Sequence, residues 1–315
     1  MQRVLVTGGA GFIGSHLIEQ LSVEEGYEII AFDNLSIGSH NVKFLKSIGT
    51  ELIIGDIIAT KDLTKISGKI DIIIHLAAMN RAPRSIKNPV KSNSVNITGT
   101  INLLEFARKH DSKFIFASSS SVFGHIETMP RPEDTYEFKP SHPYGLGKMT
   151  SEHYCRLYNE HYNLDTKSIR YFAVFGPRQS PKLTYSAVIP KFVNAAIKNK
   201  PITVYGGNQS RNFTYVKDSV KATLLIALAE KTKYNIYQIA GNEEIIINKL
   251  ADLIEEISGK KIIREIQEFQ QGDIFKSIPE MSHIVDEFNF KPKYTFLEAL
   301  KETYIWFRDN QNYFE

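Results

Sequence analysis

The sequence predicts a doubly wound α/β fold, a parallel sheet covered by helices on both faces, with a smaller C-terminal α/β lobe behind it. Three features predict it. Short β-rich apolar runs alternate with segments of helical apolar spacing through the first half of the chain. A glycine-rich loop follows the first run and opens the first helical segment. Beyond Phe175-Gly176-Pro177-Arg178 the alternation loosens into shorter elements. Parallel neighbours need a long return connection, so alternation of this kind means right-handed crossovers within one sheet.

In chain order, strand-like runs fall at 4–6, 27–32, 52–54, 70–74 and 113–117, with helical spacing at 13–21 and 97–108 between them. Residues 119–143 form a loop rich in Ser, Pro and His, long enough to suggest function. A helix over 144–162 and a strand over 167–171 follow. Helical spacing returns at 188–197, 220–229, 247–257 and 296–307, separated by strands at 202–205 and 234–239. The division is therefore 1–175 for the first domain and 176–315 for a second lobe, with some chain returning to the first. There is no internal repeat, low-complexity tract or flexible linker, so the lobes pack against one another and the cleft between them is the expected ligand site.

Composition narrows the function classes. A chain of 315 residues, 42% hydrophobic and 23% charged, can bury a full core. Its formal charge of +3 is spread along the chain, which disfavours nucleic acid and anionic membranes as partners. Cys155 stands alone and cannot form an intramolecular disulfide, and Met1-Gln2-Arg3 runs directly into Val4-Leu5-Val6 without a signal-peptide core. The expected location is the cytoplasm. No apolar run approaches the roughly 20 residues of a membrane span.

Thr7-Gly8-Gly9-Ala10-Gly11-Phe12-Ile13-Gly14 has the spacing of a dinucleotide loop, in which glycines let backbone N–H groups approach a pyrophosphate at a helix N-terminus. Asp33 closes the second strand nineteen residues after Gly14, where a carboxylate holds a ribose diol and repels a 2′-phosphate. Asn34-Leu35-Ser36-Ile37 supplies no compensating cation, so NAD is expected over NADP. Asp56 either caps the adenine amine or N-caps a helix before Ile57. The small residues of Leu76-Ala77-Ala78 suit a strand end passing under a cofactor, or simply a buried strand end.

Tyr144 and Lys148 lie four residues apart at a helix start and share a face. A tyrosine is a poor base at neutral pH, its ordinary pKa being about 10. A lysine about 6 Å away, at an effective dielectric near 20, contributes roughly 3 kcal/mol, or about two pKa units. Tyr144 could then take a proton from a substrate hydroxyl as the carbinol hydride passes to NAD. One serine of Ala117-Ser118-Ser119-Ser120-Ser121 at the end of the fifth strand could hydrogen-bond the reacting oxygen, while others serve the turn itself. His75, His125 and His142 read as structural or surface residues, and no metal-ligand spacing is present.

These motifs, together with Asn96-Ile97-Thr98-Gly99-Thr100, Arg170-Tyr171-Phe172 and Ser210-Arg211-Asn212-Phe213-Thr214-Tyr215-Val216, resemble the extended short-chain dehydrogenase/reductase superfamily. Within it the chain is most similar to nucleotide-sugar epimerases and dehydratases, and to UDP-N-acetylglucosamine 4-epimerases in particular. The resemblance implies a Rossmann sheet and a triad of Ser119, Tyr144 and Lys148. It places Gly8, Gly11, Phe12, Ile13, Gly14, Asp33, Asn34, Asp56, Ile57, Leu76, Ala77, Ala78, Asn96 and Tyr171 on NAD, with Tyr144 and Lys148. It places Arg84, Ser85, Phe172, Val188, Lys191, Asp273 and Ser277 on the UDP-sugar with Ser119, gives Arg211 a phosphate, and sets Tyr205 against the uracil. A homodimer through the helices near 97–109 and 144–162 is also implied.

The serine run bears on reaction type. Family 4,6-dehydratases carry Asp and Glu after the triad hydroxyl, and decarboxylases carry Glu at the second position; this chain has Ser120 and Ser121. Hydroxyls do not replace a carboxylic acid/base pair near neutral pH. The expectation is therefore C4 epimerisation between UDP-GlcNAc and UDP-GalNAc, with UDP-Glc and UDP-Gal as further substrates. Ser277, where family members confined to glucose and galactose have Tyr, leaves room for an acetamido group. Ala173 and Gln270 depart from the family, which has Asn and a phosphate-binding Arg there. The alternatives are a 4,6-dehydratase using other acids, an epimerase for another nucleotide such as GDP, and a non-catalytic NAD-sensing scaffold.

Overall fold

The computed structural model describes residues 1–135, 137–182, 186–269 and 274–315. Its centre is a seven-stranded parallel sheet built from β1 (Gln2–Thr7), β2 (Tyr27–Asp33), β3 (Glu51–Ile54), β4 (Ile72–His75), β5 (Lys113–Ser119), β6 (Thr166–Tyr171) and the strand Ile236–Ile239. Across the sheet the order is β3, β2, β1, β4, β5, β6 and then Ile236–Ile239, every neighbouring pair parallel. The order reverses between β1 and β4, and in such sheets a ligand crevice opens at the carboxyl ends of the strands at that switch.

Because successive side chains point to opposite faces, each strand feeds two cores. Val4, Val6, Ile72, Ile74, Ile115 and Ile169 pack on one side with Leu17, Ile18 and Leu21 of α1 (Phe12–Leu21). Leu5, Ile30, Phe32, Ile73, Phe114 and Phe116 pack on the other with Leu103, Leu104 and Ala107 of the helix Gly99–His110 and Cys155 of the helix Pro143–Tyr162. Burial on both faces is why these strands read as apolar runs rather than alternating ones.

Beyond residue 176, parts of the chain return to the sheet. Ile236–Ile239 pairs with β6, so the strand expected at 234–239 adds an edge to the large sheet. The helix Val216–Leu228 packs against α1. The remainder, including the helices Val188–Ile197, Ile247–Ser258 and Phe296–Asp309 and the parallel pair Ile202–Tyr205 with Arg264–Gln267, continues the first of the two cores without a break.

Candidate active site

A cleft of about 610 Å³ runs along the carboxyl edge of the sheet. Its first half is made by the glycine loop. Gly8 has φ +71°, and a Cβ there would lie 2.7 Å from the Ala77 nitrogen, so the loop can cross β4 only with glycine at this point. A Cβ on Gly14 would lie 2.3 Å from the Gly8 carbonyl oxygen. α1 starts from Gly11 with no side chain capping it, so its first N–H groups are available to an anion. Gly8, Gly11, Phe12, Ile13, Gly14, Asp33, Asn34, Asp56, Ile57, Leu76, Ala77 and Ala78 all line this half.

Asp33 accepts from the Ala10 amide at 3.1 Å and the Leu35 amide at 2.8 Å. Burial lifts its carboxyl above the ordinary range, and those two amides oppose the lift. Asp56 accepts from Asn34 Nδ2 at 2.9 Å and from the Ile58 amide at 3.0 Å. It closes a turn instead of capping a helix, because the next helix, Thr60–Leu63, has Ala59 at its N-cap. Asn96 lies outside the cleft lining: buried, it holds both the amide and the carbonyl of Met79, at 2.9 and 3.2 Å, from a π-helical turn, Ser94–Thr98. It thereby shapes the lining loop that contains Met79. An uncapped helix end, a close-packed glycine turn and an amide-held carboxylate fit a dinucleotide.

The second half carries acid/base groups. β5 delivers Ser119, and the helix Pro143–Tyr162 delivers Tyr144 and Lys148. That helix begins where His142 Nδ1 accepts from the Gly145 amide at 3.1 Å and Pro143 takes the first helical position. The Ser119 side chain stands near enough to Tyr144 to hold its phenol lower than burial alone would. The Ser119 hydroxyl accepts from the Ser121 amide at 3.2 Å and donates to Ser121 Oγ at 3.1 Å. Lys148 Nζ donates to the Ala117 carbonyl at 2.6 Å and lies 6.0 Å from the Tyr144 ring centre.

The separation matches the sequence-based expectation, but the electrostatic balance does not. Burial holds the Tyr144 phenol above its ordinary value; the Ser119 side chain and the Arg81 charge pull it down without prevailing. Burial also drops the Lys148 ammonium to about 7. Both groups share one desolvated pocket, so the lysine is only partly charged at neutral pH and supplies less than a full unit charge to the phenol. Below them Glu152, one helical turn past Lys148, receives Ser118 Oγ and the Arg170 guanidinium, the latter at 2.9 to 3.2 Å.

Of the remaining expected residues, Arg84, Tyr171, Phe172, Arg211 and Ser277 line the cleft. Tyr171 is tied through its hydroxyl to Thr223 Oγ1 at 2.7 Å. Ser277 Oγ is buried and has no hydrogen-bond partner among the described residues. Ser85 is buried under the lining, its hydroxyl on the Ala82 carbonyl at 2.8 Å. Val188, Lys191 and Tyr205 stand outside the lining. Asp273 and Gln270 fall outside the described residues. His75 is a core residue, between Thr7 Oγ1 at 2.7 Å and Thr100 Oγ1 at 3.0 Å.

Two groups at the site escape sequence reasoning. Arg81 lines the catalytic half, and its charge reaches Tyr144. Asn41, fully buried, donates to the carbonyls of Ala10 and Gly11 at 2.9 and 3.1 Å and receives the Tyr313 hydroxyl at 2.9 Å. The i,i+4 spacing of Lys148 and Glu152 was a readable signal for the buried carboxylate. Nothing local marks the contact between Asn41 and Tyr313, 272 residues apart.

The model of the NAD dependent epimerase/dehydratase family matches residues 4–240. The chain belongs to that family. This epimerase/dehydratase is 36% identical over 312 residues to a putative UDP-glucose 4-epimerase of Methanocaldococcus jannaschii, covering 98% of this chain and 99% of that one. It superposes with a TM-score of 0.90 and 36% identity on a UDP-N-acetylglucosamine 4-epimerase from Methanobrevibacter ruminantium in complex with UDP-N-acetylmuramic acid, covering 98% of each chain. A UDP-glucose 4-epimerase from Thermus thermophilus in complex with NAD superposes with a TM-score of 0.88 at 28% identity, covering 98% of this chain and all of that one. The enzyme is NAD-dependent and acts in the nucleotide-sugar branch of epimerases and dehydratases. Among the described residues no helix is long and apolar enough to cross a membrane, and no group of three or more His, Cys, Asp or Glu residues could hold a metal ion.

Proposed function

We propose that this enzyme is a nucleotide-sugar 4-epimerase whose central reaction interconverts UDP-N-acetylglucosamine and UDP-N-acetylgalactosamine. The observation that carries this reading is the distribution of acids along the cleft. Among the described lining residues the only carboxylates are Asp33 and Asp56, both at the dinucleotide end, while Ser119 is followed by Ser120 and Ser121. Elimination of water needs a carboxylic acid/base pair at the sugar; inversion at one carbon needs only a single proton shuttle.

The residues supply that shuttle. The Tyr144 phenolate takes the proton of the 4-hydroxyl and returns it after the ring has turned, while Ser119 donates a hydrogen bond to the same oxygen. Lys148 favours the phenolate whenever it is charged. The glycine loop, Asp33 and the start of α1 would hold NAD, whose nicotinamide would supply reversible hydride acceptance at C4. Arg211 meets the nucleotide diphosphate, and the unpartnered Ser277 hydroxyl offers a hydrogen bond to an acetamido group at C2. Similarity to epimerases of both UDP-glucose and UDP-N-acetylglucosamine supports C4 as the reacting carbon.

Incubating the purified enzyme with NAD and UDP-N-acetylglucosamine should produce the galacto epimer by NMR. A product lighter by one water identifies a dehydratase. Unchanged substrate refutes this choice of sugar nucleotide.

A further inference from the structure

The cleft is richer in cations than the proposed reaction requires. Arg81, Arg84, Lys91, Lys148, Arg178 and Arg211 line the cleft, whose two described carboxylates sit at the dinucleotide end. Some of this charge is already committed: Arg178 pairs with Glu19, and Lys148 is on the Ala117 carbonyl. The two bound diphosphates would answer more of it. Arg81 is different. Its Nε is sealed from solvent without a hydrogen-bond partner among the described residues. It also has φ +79° and ψ +124°, a region where glycine is the ordinary choice, so a large side chain is kept there against backbone preference.

Two elements meet at this point. Arg81 precedes the helix Ala82–Lys87, which packs against the helix Pro143–Tyr162 that carries Tyr144. The charge of Arg81 reaches the Tyr144 phenol. A guanidinium beside a phenol, its Nε unpartnered among the described residues, makes a poor arrangement for an empty pocket and a good one for an anion.

We infer that Arg81 forms a subsite for a carboxylate carried by the sugar ring itself, so that the same C4 inversion extends to acidic derivatives of the N-acetylhexosamine nucleotide and runs on them more efficiently than on the neutral parent. Ring geometry separates this from a phosphate contact. Tyr144 must reach the oxygen on C4, the substituents on C3 and C5 flank that carbon, and the diphosphate leaves from C1 across the ring. A cation beside the phenol therefore faces a C3 or C5 substituent. This inference rests on the 4-epimerase reading and specifies which sugars that reaction takes.

The test compares UDP-N-acetylglucosamine, its C6 uronic acid and its 3-O-lactyl ether as substrates for the wild type, Arg81→Met and Arg81→Lys, with C4 inversion followed by NMR. At least one acid should show a kcat/KM tenfold or more above the neutral sugar. Arg81→Met should cut that acid-to-neutral ratio at least tenfold, and Arg81→Lys should restore most of it. The acid that responds shows whether the carboxylate hangs from C5 or from C3. A wild type that favours the neutral sugar over both acids, or a ratio unchanged in Arg81→Met, overturns the subsite. Arg81→Gln, which keeps length and hydrogen-bonding capacity without the charge, replaces Arg81→Met if the latter does not fold.

Inversion of none of the three refutes the epimerase reading instead. The subsite is then judged by binding alone: Tyr144→Phe protein should hold an acid at least tenfold more tightly than the neutral sugar, and equal affinity would overturn the inference.

Discussion

Lys148→Met exposes the cost of a buried ammonium. The side chain of Lys148 is almost fully enclosed, and burial lowers its pKa from 10.5 to about 7. At about 1.4 kcal/mol per tenfold change in proton affinity, that displacement costs the native state about 5 kcal/mol at pH 6. The unfolded chain binds more protons than the folded one between about pH 7 and 10.5, so this cost is complete below pH 7 and fades as pH rises to 10.5. Methionine fills similar volume without a charge but leaves the Ala117 carbonyl unpaired and gives up the contact 4.6 Å over the Phe116 ring. Those losses come to about 2 kcal/mol. Lys148→Met should therefore be more stable than the wild type by about 3 kcal/mol at pH 6, equal to it near pH 9, and less stable above. Equilibrium urea unfolding of both proteins from pH 6 to 10, at one NAD concentration, measures the difference. A gap that does not change with pH would show that Lys148 titrates normally in the fold, and the argument from burial would fail.

Tyr144→Phe should lower turnover by about 10²–10⁴-fold, the range for loss of a general acid/base, while NAD released on denaturation stays equimolar with protein. Gly14→Ala places a Cβ where only 2.3 Å separates it from the Gly8 carbonyl, so the purified variant should retain its far-ultraviolet circular dichroism and lose its NAD. Tyr313→Phe removes the 2.9 Å bond to Asn41 and loosens the glycine loop; at about 1 kcal/mol, NAD should dissociate roughly fivefold faster in stopped-flow measurements.

What could be read locally follows short-range rules. The glycine loop is legible because the steric demand at Gly8 and Gly14 leaves one residue type, and the helix Val188–Ile197 because its apolar spacing runs without interruption. The strand Ile236–Ile239 is legible as a strand from its β-branched and aromatic residues, but its partner is not: four residues do not say which sheet they join. The residues expected on the cofactor show the same split. The position of Asp33 follows from its place at the end of β2, whereas the hold of Asn96 on Met79 does not, because it depends on a π-helical turn that points the Asn96 amide at that loop.

The sequence by itself determined the chemistry available: a dinucleotide loop, a tyrosine and lysine on one helical face, and hydroxyls where a dehydratase needs acids. These are properties of residue type and near-neighbour spacing. The tertiary structure alone decided how that chemistry is tuned. Burial of Tyr144 and Lys148 in one pocket makes desolvation outweigh their attraction, and Arg81, from a loop more than sixty residues earlier, becomes the cation that acts on the phenol. Desolvation and charge proximity depend on every element packed around a group, and no window of sequence contains them.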